Sequence, residues 1–203
     1  MKTALQLMEK RNLMKILMED KLRKDEIDVI WQASIDRLSS IIDKYGRLPK
    51  GVQSHTNSIF PAAAVYLTLK EKYGQEIAYT IIEDYVICSC ISAHMILSKI
   101  LKFPGMPGLF VKLWDPITRI KFSSRCGFKN VFYPKNKGEY RMDVISCPYN
   151  NYFTELGCPE LTKIFCESDN RIYGALTGVI FERAGTIGMG AKRCDFYIRK
   201  NNL

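Results

Sequence analysis

Three cysteines in the last third of the chain lie beside carboxylates and turn residues. Cys147 precedes a proline, Cys166 begins the run Cys166-Glu167-Ser168-Asp169, and Cys194 precedes an aspartate. A thiolate is a strong nucleophile and a metal ligand, and a carboxylate can donate or accept a proton. Residues of these types at the ends of short elements can converge on one small volume. We therefore predict a site built from Cys147, Cys166, Asp169, Glu182 and Cys194.

Two kinds of chemistry fit these residues. In the first, a thiolate attacks the substrate directly, and Asp169 or Glu182 moves the protons. Cys147 would begin a helix, and a helix N-terminus lowers the pKa of a thiol. In the second, Cys147, Cys166 and Cys194 bind a divalent metal that activates water. The cysteines are much farther apart in sequence than zinc-finger pairs, which favours the thiol route.

Cationic and imidazole side chains are candidates for binding the substrate. Arg183 and Lys192 could each pair with a substrate carboxylate and orient the reacting group. His55 lies in a polar stretch of the chain where a site could form. His94, in contrast, belongs to an apolar helical segment and is expected to be a structural side chain.

The charge of the chain predicts an anionic partner. Its 203 residues include 30 Lys and Arg against 21 Asp and Glu, a net charge of +9, with the excess concentrated in residues 112–141. Such a field attracts anions, whether nucleic acid, lipid headgroups or a small carboxylate, although a solvated basic face explains it equally well. We expect a small anionic substrate. Nucleic acid is the least supported of these partners, because no recognised RNA- or DNA-binding motif accompanies the basic segment.

Cysteine usage and hydropathy indicate a cytoplasmic protein. Seven cysteines are an odd number, and the N-terminus lacks the order of a secretory signal, so we expect reduced thiols. Residues 85–97 carry no formal charge, but this stretch is shorter than the roughly 20 residues that a bilayer requires. We therefore predict a buried helix there and no membrane association. The oligomeric state stays open, a homo-oligomer included.

The elements divide into a helical half and a strand-rich half. Apolar residues at helical spacing predict one helix over residues 5–22, one over 26–45, a third capped by Asn57 or Ser58, and a fourth from 75 to 101. Two prolines and two glycines in residues 104–108 interrupt this pattern. Strands are then expected at 131–133, 140–146, 179–187 and 193–199, with helical segments at 151–156 and from 159.

These elements predict an α+β fold in a single domain over residues 1–203. A helical half, residues 1–103, would pack on a twisted antiparallel sheet of about four strands, with helices inserted between the strand pairs. Residues 109–200 would form the strand-rich half and carry the site. A chain of this length and composition can bury a substantial core.

Several ordered segments also resemble a known family, the L-2-amino-thiazoline-4-carboxylic acid hydrolases. The segments are Ser146-Cys147-Pro148-Tyr149, Glu155-Leu156-Gly157-Cys158-Pro159-Glu160-Leu161, Phe165-Cys166-Glu167-Ser168-Asp169, Phe181-Glu182-Arg183-Ala184-Gly185-Thr186-Ile187 and Cys194-Asp195-Phe196. Residues 166–196 are more loosely similar to the 4-vinyl-reductase small-molecule-binding domain. That second resemblance implies helices followed by a twisted antiparallel sheet.

The first resemblance implies a hydrolase that opens a cyclic isothiourea carboxylate, such as L-2-amino-thiazoline-4-carboxylate, to N-carbamoyl-L-cysteine. A thiol or a metal-activated water would attack the ring carbon between sulfur and nitrogen, so a divalent metal is the one cofactor under consideration. The second resemblance implies an alternative, a non-catalytic small-molecule or metal-sensing module that uses the same pocket. A hydrolase converts its ligand to product, whereas a sensing module only binds it, so an assay of turnover distinguishes these two functions.

Overall fold

The computed structural model describes residues 2–134 and 136–201 and has an α+β fold. These residues form eight α-helices and four strands, and the helical N-terminal half and the C-terminal antiparallel sheet are as the sequence predicts. In chain order they are α1 Ala4–Glu9, α2 Asn12–Met18, α3 Lys24–Tyr45, α4 Lys50–Tyr73, α5 Gln75–Leu101, α6 Met106–Lys121, β1 Lys129–Phe132, β2 Glu139–Ser146, α7 Pro148–Glu155, α8 Leu161–Tyr173, β3 Val179–Glu182 and β4 Cys194–Lys200.

The four strands form one antiparallel sheet in the order β1-β2-β4-β3. In the register between β2 and β4, Val144 lies opposite Cys194 and Met142 lies opposite Phe196. All four side chains are buried, because alternate residues of a strand share one face of the sheet. Cys194 therefore points into the core. The connection between β1 and β2 includes Lys135, which lies outside the described residues.

Two hydrophobic cores meet beside the sheet. One is formed by the N-terminal helices with α7 and α8, and the other lies under the sheet and α6. Tyr149, on α7, packs against both. The segment from the end of β2 into α7 therefore joins the helical part of the molecule to the sheet.

The first and third predicted helices differ from the observed ones. The stretch predicted as one helix over residues 5–22 is two helices, because the Arg11 side chain donates to the Leu7 carbonyl near the end of α1. The helix α4 begins at Lys50, before the predicted caps Asn57 and Ser58, which are interior to it. Pro61 also lies inside α4, where burial of the helix outweighs the backbone hydrogen bond that proline cannot make.

The helix α6 was not predicted. The prolines and glycines of residues 104–108 end α5, but Pro107 then lies in the first turn of α6, where a missing N–H leaves no helical acceptor unpaired. Gly105 precedes this turn with a φ of 81°, a left-handed conformation that glycine readily adopts. The proline- and glycine-rich segment that ends α5 is thus also the start of α6.

Residues 85–97 are helical as expected, but the expectation that this stretch is buried is wrong for most of it. Val86 and Cys90 are buried, whereas Ile91, Met95 and Ile96 are exposed. By length and composition α5 is also the one helix in the described part of the chain that could cross a membrane, with 22% of its apolar window buried. Core helices of globular proteins meet the same two criteria.

Candidate active site

A cavity of about 140 Å³ brings together most of the predicted site residues. Its lining includes the three cysteines of the C-terminal third, an acid, a guanidinium and an imidazole: Cys147, Cys166, Cys194, Asp169, Arg183 and His55. Aromatic side chains complete the wall, namely Phe122, Phe128, Tyr149, Phe165 and Phe196. All seven cysteines of the chain are free thiols.

Each polar side chain reaches the cavity because of its position in an element. Cys166 and Asp169 are three residues apart on α8 and therefore share one helix face. Cys194 is the first residue of β4 and faces inward, and Cys147 is the N-cap residue of α7. Arg183 follows the last residue of β3.

Arg183 is a buried cation with one ionic partner. Its side chain is 1% exposed, and Nη1 donates to the Asp169 carboxylate at 2.7 Å. Nη2 donates to the Cys166 carbonyl, and the guanidinium lies 5.3 Å from the centre of the Phe196 ring. Nε is buried and has no hydrogen-bond acceptor among the described residues. The cation therefore holds α8 at the cavity and keeps one donor free.

Two other candidates lie outside the cavity. Glu182 is exposed at the end of β3, where strand alternation turns Phe181 inward and Glu182 outward, and its nearest cation is Arg199 at 3.6 Å. Lys192 is exposed on the loop between β3 and β4. Glu182 shares a separate cleft with Arg183, but the structure brings neither Glu182 nor Lys192 to the cysteines and Asp169.

The surroundings of Cys166 favour its thiolate. The Cys194 thiol has the largest effect and, together with the Thr186 hydroxyl, the Gly188 N–H and the Arg183 charge, lowers the pKa of Cys166 to about 6 despite the opposing effect of burial. Thr186 Oγ1 is buried and makes no hydrogen bond of ordinary geometry to the described residues. The pKa of Cys194 is raised in turn, chiefly because its proton is held by Cys166. The two thiols thus titrate as a pair, and the first negative charge resides on Cys166.

Gly188 approaches α8 too closely for any other residue. A Cβ at this position would lie 2.8 Å from Cys166 Sγ and 2.9 Å from Thr162 Cγ2. The absence of a side chain is what allows the backbone of residues 187–189 to reach the cysteine. Thr186 and Gly188 belong to a turn that the sequence marks only by its glycines, and the role of the threonine hydroxyl was not predicted.

Cys147 does not have the lowered pKa that its position predicts. The backbone N–H groups of Tyr149 and Asn150, at the start of α7, do lower it, but burial has a larger effect and raises the pKa of Cys147 to about 11. A helix N-terminus activates a thiol when the thiol is also solvated or near a cation. Cys147 is therefore a neutral thiol at neutral pH.

Asp169 and His55 are the acid–base groups of the cavity. Burial raises the pKa of Asp169 to about 6, even though the Arg183 charge acts in the opposite direction. Burial lowers the pKa of His55, whose Nε2 lies 2.8 Å from the Lys121 carbonyl and must donate to it. At neutral pH the imidazole is neutral, and Nδ1 carries no proton.

The predicted metal site is not formed by these side chains. Within residues 2–134 and 136–201, no group of three His, Cys, Asp or Glu side chains is arranged to hold a metal ion. The cysteines line a common cavity but lack the converging geometry of a tetrahedral ligand set.

A family model described as L-2-amino-thiazoline-4-carboxylic acid hydrolase matches residues 54–198. The matched span covers more than two thirds of the chain and contains every residue that lines the cavity. Comparison with curated proteins finds no match, and neither does comparison with solved structures.

Proposed function

Because the chain belongs to the L-2-amino-thiazoline-4-carboxylic acid hydrolase family, we propose that it hydrolyses the ring of a cyclic isothiourea carboxylate with Cys166 as the nucleophile. The observation that supports this role is the position of Cys166 in a cavity of about 140 Å³, beside the Cys194 thiol and the buried Arg183 cation that lower its pKa. A thiolate attacks such a carbon, whereas a thiol does not.

In the first step, the Cys166 thiolate attacks the ring carbon between sulfur and nitrogen of L-2-amino-thiazoline-4-carboxylate. The ring nitrogen takes a proton, the bond from the ring carbon to the ring sulfur breaks, and the sulfur leaves as a thiolate that is then protonated. The product of this step is an isothiourea linked to Cys166. Asp169 supplies a proton, since a carboxyl group with a pKa of about 6 is partly protonated near neutrality.

In the second step, water attacks the same carbon. Asp169, now ionised, accepts a proton from the water, and the bond to Cys166 breaks to release the thiolate. The products are N-carbamoyl-L-cysteine and the original enzyme, so one water molecule is consumed overall. The donors that stabilise the Cys166 thiolate also make it a good leaving group.

Arg183 and His55 would bind and orient the substrate. The free Nε–H of Arg183 can donate to the substrate carboxylate, and the buried position of the guanidinium strengthens that contact. The unprotonated Nδ1 of His55 can accept from the amino group. Cys147 would serve as a neutral wall of the cavity in this scheme.

Turnover by cysteine variants tests the proposal. Product thiol released from L-2-amino-thiazoline-4-carboxylate is measured for the wild type, Cys166→Ser, Cys147→Ser and Cys88→Ser. Cys88 lies on α5, outside the cavity, and is the matched control. We expect Cys166→Ser to lose at least about a hundredfold in kcat, as loss of a nucleophile does, with Cys88→Ser unchanged. Mass spectrometry of the quenched reaction should show the adduct on Cys166.

Three other results would change the assignment. Loss of turnover in Cys147→Ser with an active Cys166→Ser would make Cys147 the nucleophile. Turnover that follows the content of a divalent metal, measured by elemental analysis, would favour metal-activated water. Binding of the thiazoline without any turnover by the folded wild type would favour the small-molecule sensing module.

A further inference from the structure

A second, larger cavity adjoins the one lined by Cys147, Cys166 and Cys194, which we call the thiol cavity. The second cavity, which we call the apolar cavity, has a volume of about 420 Å³ and lies between the C-terminal end of α5, α6, α8 and the inner face of the sheet. Its walls are aliphatic and aromatic, with Leu101, Phe110 and Met142 among them. Phe122, Asp169 and Phe196 line both cavities, so these three side chains form the partition between them. A ligand that spans both spaces would have to pass between them.

The sizes of the two cavities indicate a ligand larger than a bare thiazoline ring. Binding sites for small organic molecules usually measure roughly 300–1,000 Å³ and are lined mainly by apolar side chains. The thiol cavity, at about 140 Å³, is well below this range, whereas the apolar cavity at about 420 Å³ lies within it. The polar reaction centre therefore occupies the smaller part of a larger space.

Two buried donors in these cavities lack acceptors. Trp114 Nε1 in the apolar cavity and Arg183 Nε in the thiol cavity are both buried without a hydrogen-bond partner among the described residues. A buried polar atom without a partner is destabilising, and such atoms in a binding site are commonly satisfied by the ligand. Of the two, Arg183 Nε belongs to a cation, so a carboxylate oxygen is the acceptor that suits it, and this donor is the one that indicates an anionic ligand.

We propose that the apolar cavity binds the aliphatic or aromatic arm of an amphiphilic carboxylate, whose carboxylate end reaches Arg183 beside the thiols. The substrate class would then be a thiazoline-type carboxylate with an apolar substituent. That substrate class rests on the proposed hydrolase function, whereas binding of an amphiphilic carboxylate does not depend on turnover.

Straight-chain carboxylates from butyrate to decanoate test the binding on the intact chain. Each pair of methylenes that enters an apolar cavity should strengthen binding by about tenfold. Isothermal titration calorimetry should therefore show one site whose Kd falls steeply along the series and then levels off when the cavity is full. A Kd that does not change with chain length would overturn the proposal.

Two substitutions on α6 distinguish the cavity from the apolar surface around it. Ile117 is 51% exposed and lines the cavity, whereas Ile120 is 68% exposed and is not part of its lining. Ile117→Glu places a charge in the path of the arm and should weaken decanoate binding by about tenfold or more. Ile120→Glu should leave the Kd unchanged. Equal weakening in both variants would mean that decanoate adheres to the surface, and would overturn the proposal.

Alkylation tests whether the carboxylate end reaches the thiols. Saturating decanoate should slow the reaction of iodoacetamide with Cys166 by at least about fivefold but leave Cys88 unaffected, as read by peptide mass spectrometry. Binding without protection of Cys166 would refute a ligand that spans both cavities. The Cys166→Ser variant distinguishes this inference from the proposed function. Decanoate binding in this variant tests the apolar cavity, and turnover tests Cys166 as the nucleophile, so one proposal can be refuted while the other stands.

Discussion

The Thr186 hydroxyl provides the sharpest test of how the Cys166 thiolate is stabilised. Thr186 is 2% exposed, and its hydroxyl is among the donors that lower the pKa of Cys166. Thr186→Val keeps the shape of the side chain and removes the donor. A full hydrogen bond to a charged group is worth about 1.5–3 kcal/mol, and one pKa unit corresponds to 1.36 kcal/mol. Because Thr186 Oγ1 makes no hydrogen bond of ordinary geometry to the described residues, the variant should raise the pKa of Cys166 by up to about one unit.

The pH dependence of Cys166 alkylation measures this shift directly. Rates of reaction with iodoacetamide, followed at Cys166 by peptide mass spectrometry, give a midpoint that reports the thiolate. At a pH below both midpoints, Thr186→Val should react more slowly than the wild type, by up to about tenfold, because the thiolate fraction changes tenfold for each pKa unit. Thr186→Ser keeps a hydroxyl and is the matched control, with a midpoint near that of the wild type.

One result would refute this reasoning. If Thr186→Val and the wild type have the same midpoint while both remain folded by circular dichroism, the hydroxyl does not stabilise the thiolate. The low pKa would then depend on the Cys194 thiol, which has the largest lowering effect on Cys166, together with the Gly188 N–H and the Arg183 charge.

Further predictions concern the acid, the cation and the exposed carboxylate. Arg183→Met leaves the Asp169 carboxylate without its buried partner and should lower the free energy of unfolding by about 3–5 kcal/mol in urea titrations, with Arg183→Lys less affected. Burial raises the pKa of Asp169 from 3.8 to about 6, so the folded state binds this proton more tightly than the unfolded state. The stability from this proton is complete below pH 3.8 and is lost as the pH rises through about 6, an effect on the order of 3 kcal/mol that Asp169→Asn should remove from the pH profile of unfolding. Glu182→Gln should change kcat by less than about twofold, because its partner is an exposed arginine outside the cavity.

Periodicity predicted the elements that have strong patterns. The helices α3 and α5 and the strands β2 and β4 were expected close to their observed bounds, because regular burial of one face leaves a readable repeat. The start of α4 was missed because it lies in a polar stretch. The helix α6 was missed because its opening prolines and glycines also satisfy the rules for a loop.

The site was predictable in its residue types but not in its electrostatics. Motif context pointed to Cys147, Cys166 and Cys194, and the sheet register explains why Cys194 faces inward. Which of them is activated depends on donors that come from elsewhere in the chain, such as Thr186 and Arg183. The sequence predicts a lowered pKa for Cys147 because that residue begins a helix. Sequence spacing does not show how deeply a thiol is buried, and burial raises the pKa of Cys147.

The position of Tyr149 between the two hydrophobic cores has a practical consequence for genetics. Because the chain passes from the end of the sheet at Cys147 straight into a helix that packs with the N-terminal bundle, damage to that bundle shifts the wall of the cavity that holds the thiols. Random mutagenesis screened for loss of the proposed activity should therefore recover substitutions around Leu38 and Ile59, far along the sequence from any thiol, as often as substitutions beside the sulfurs themselves.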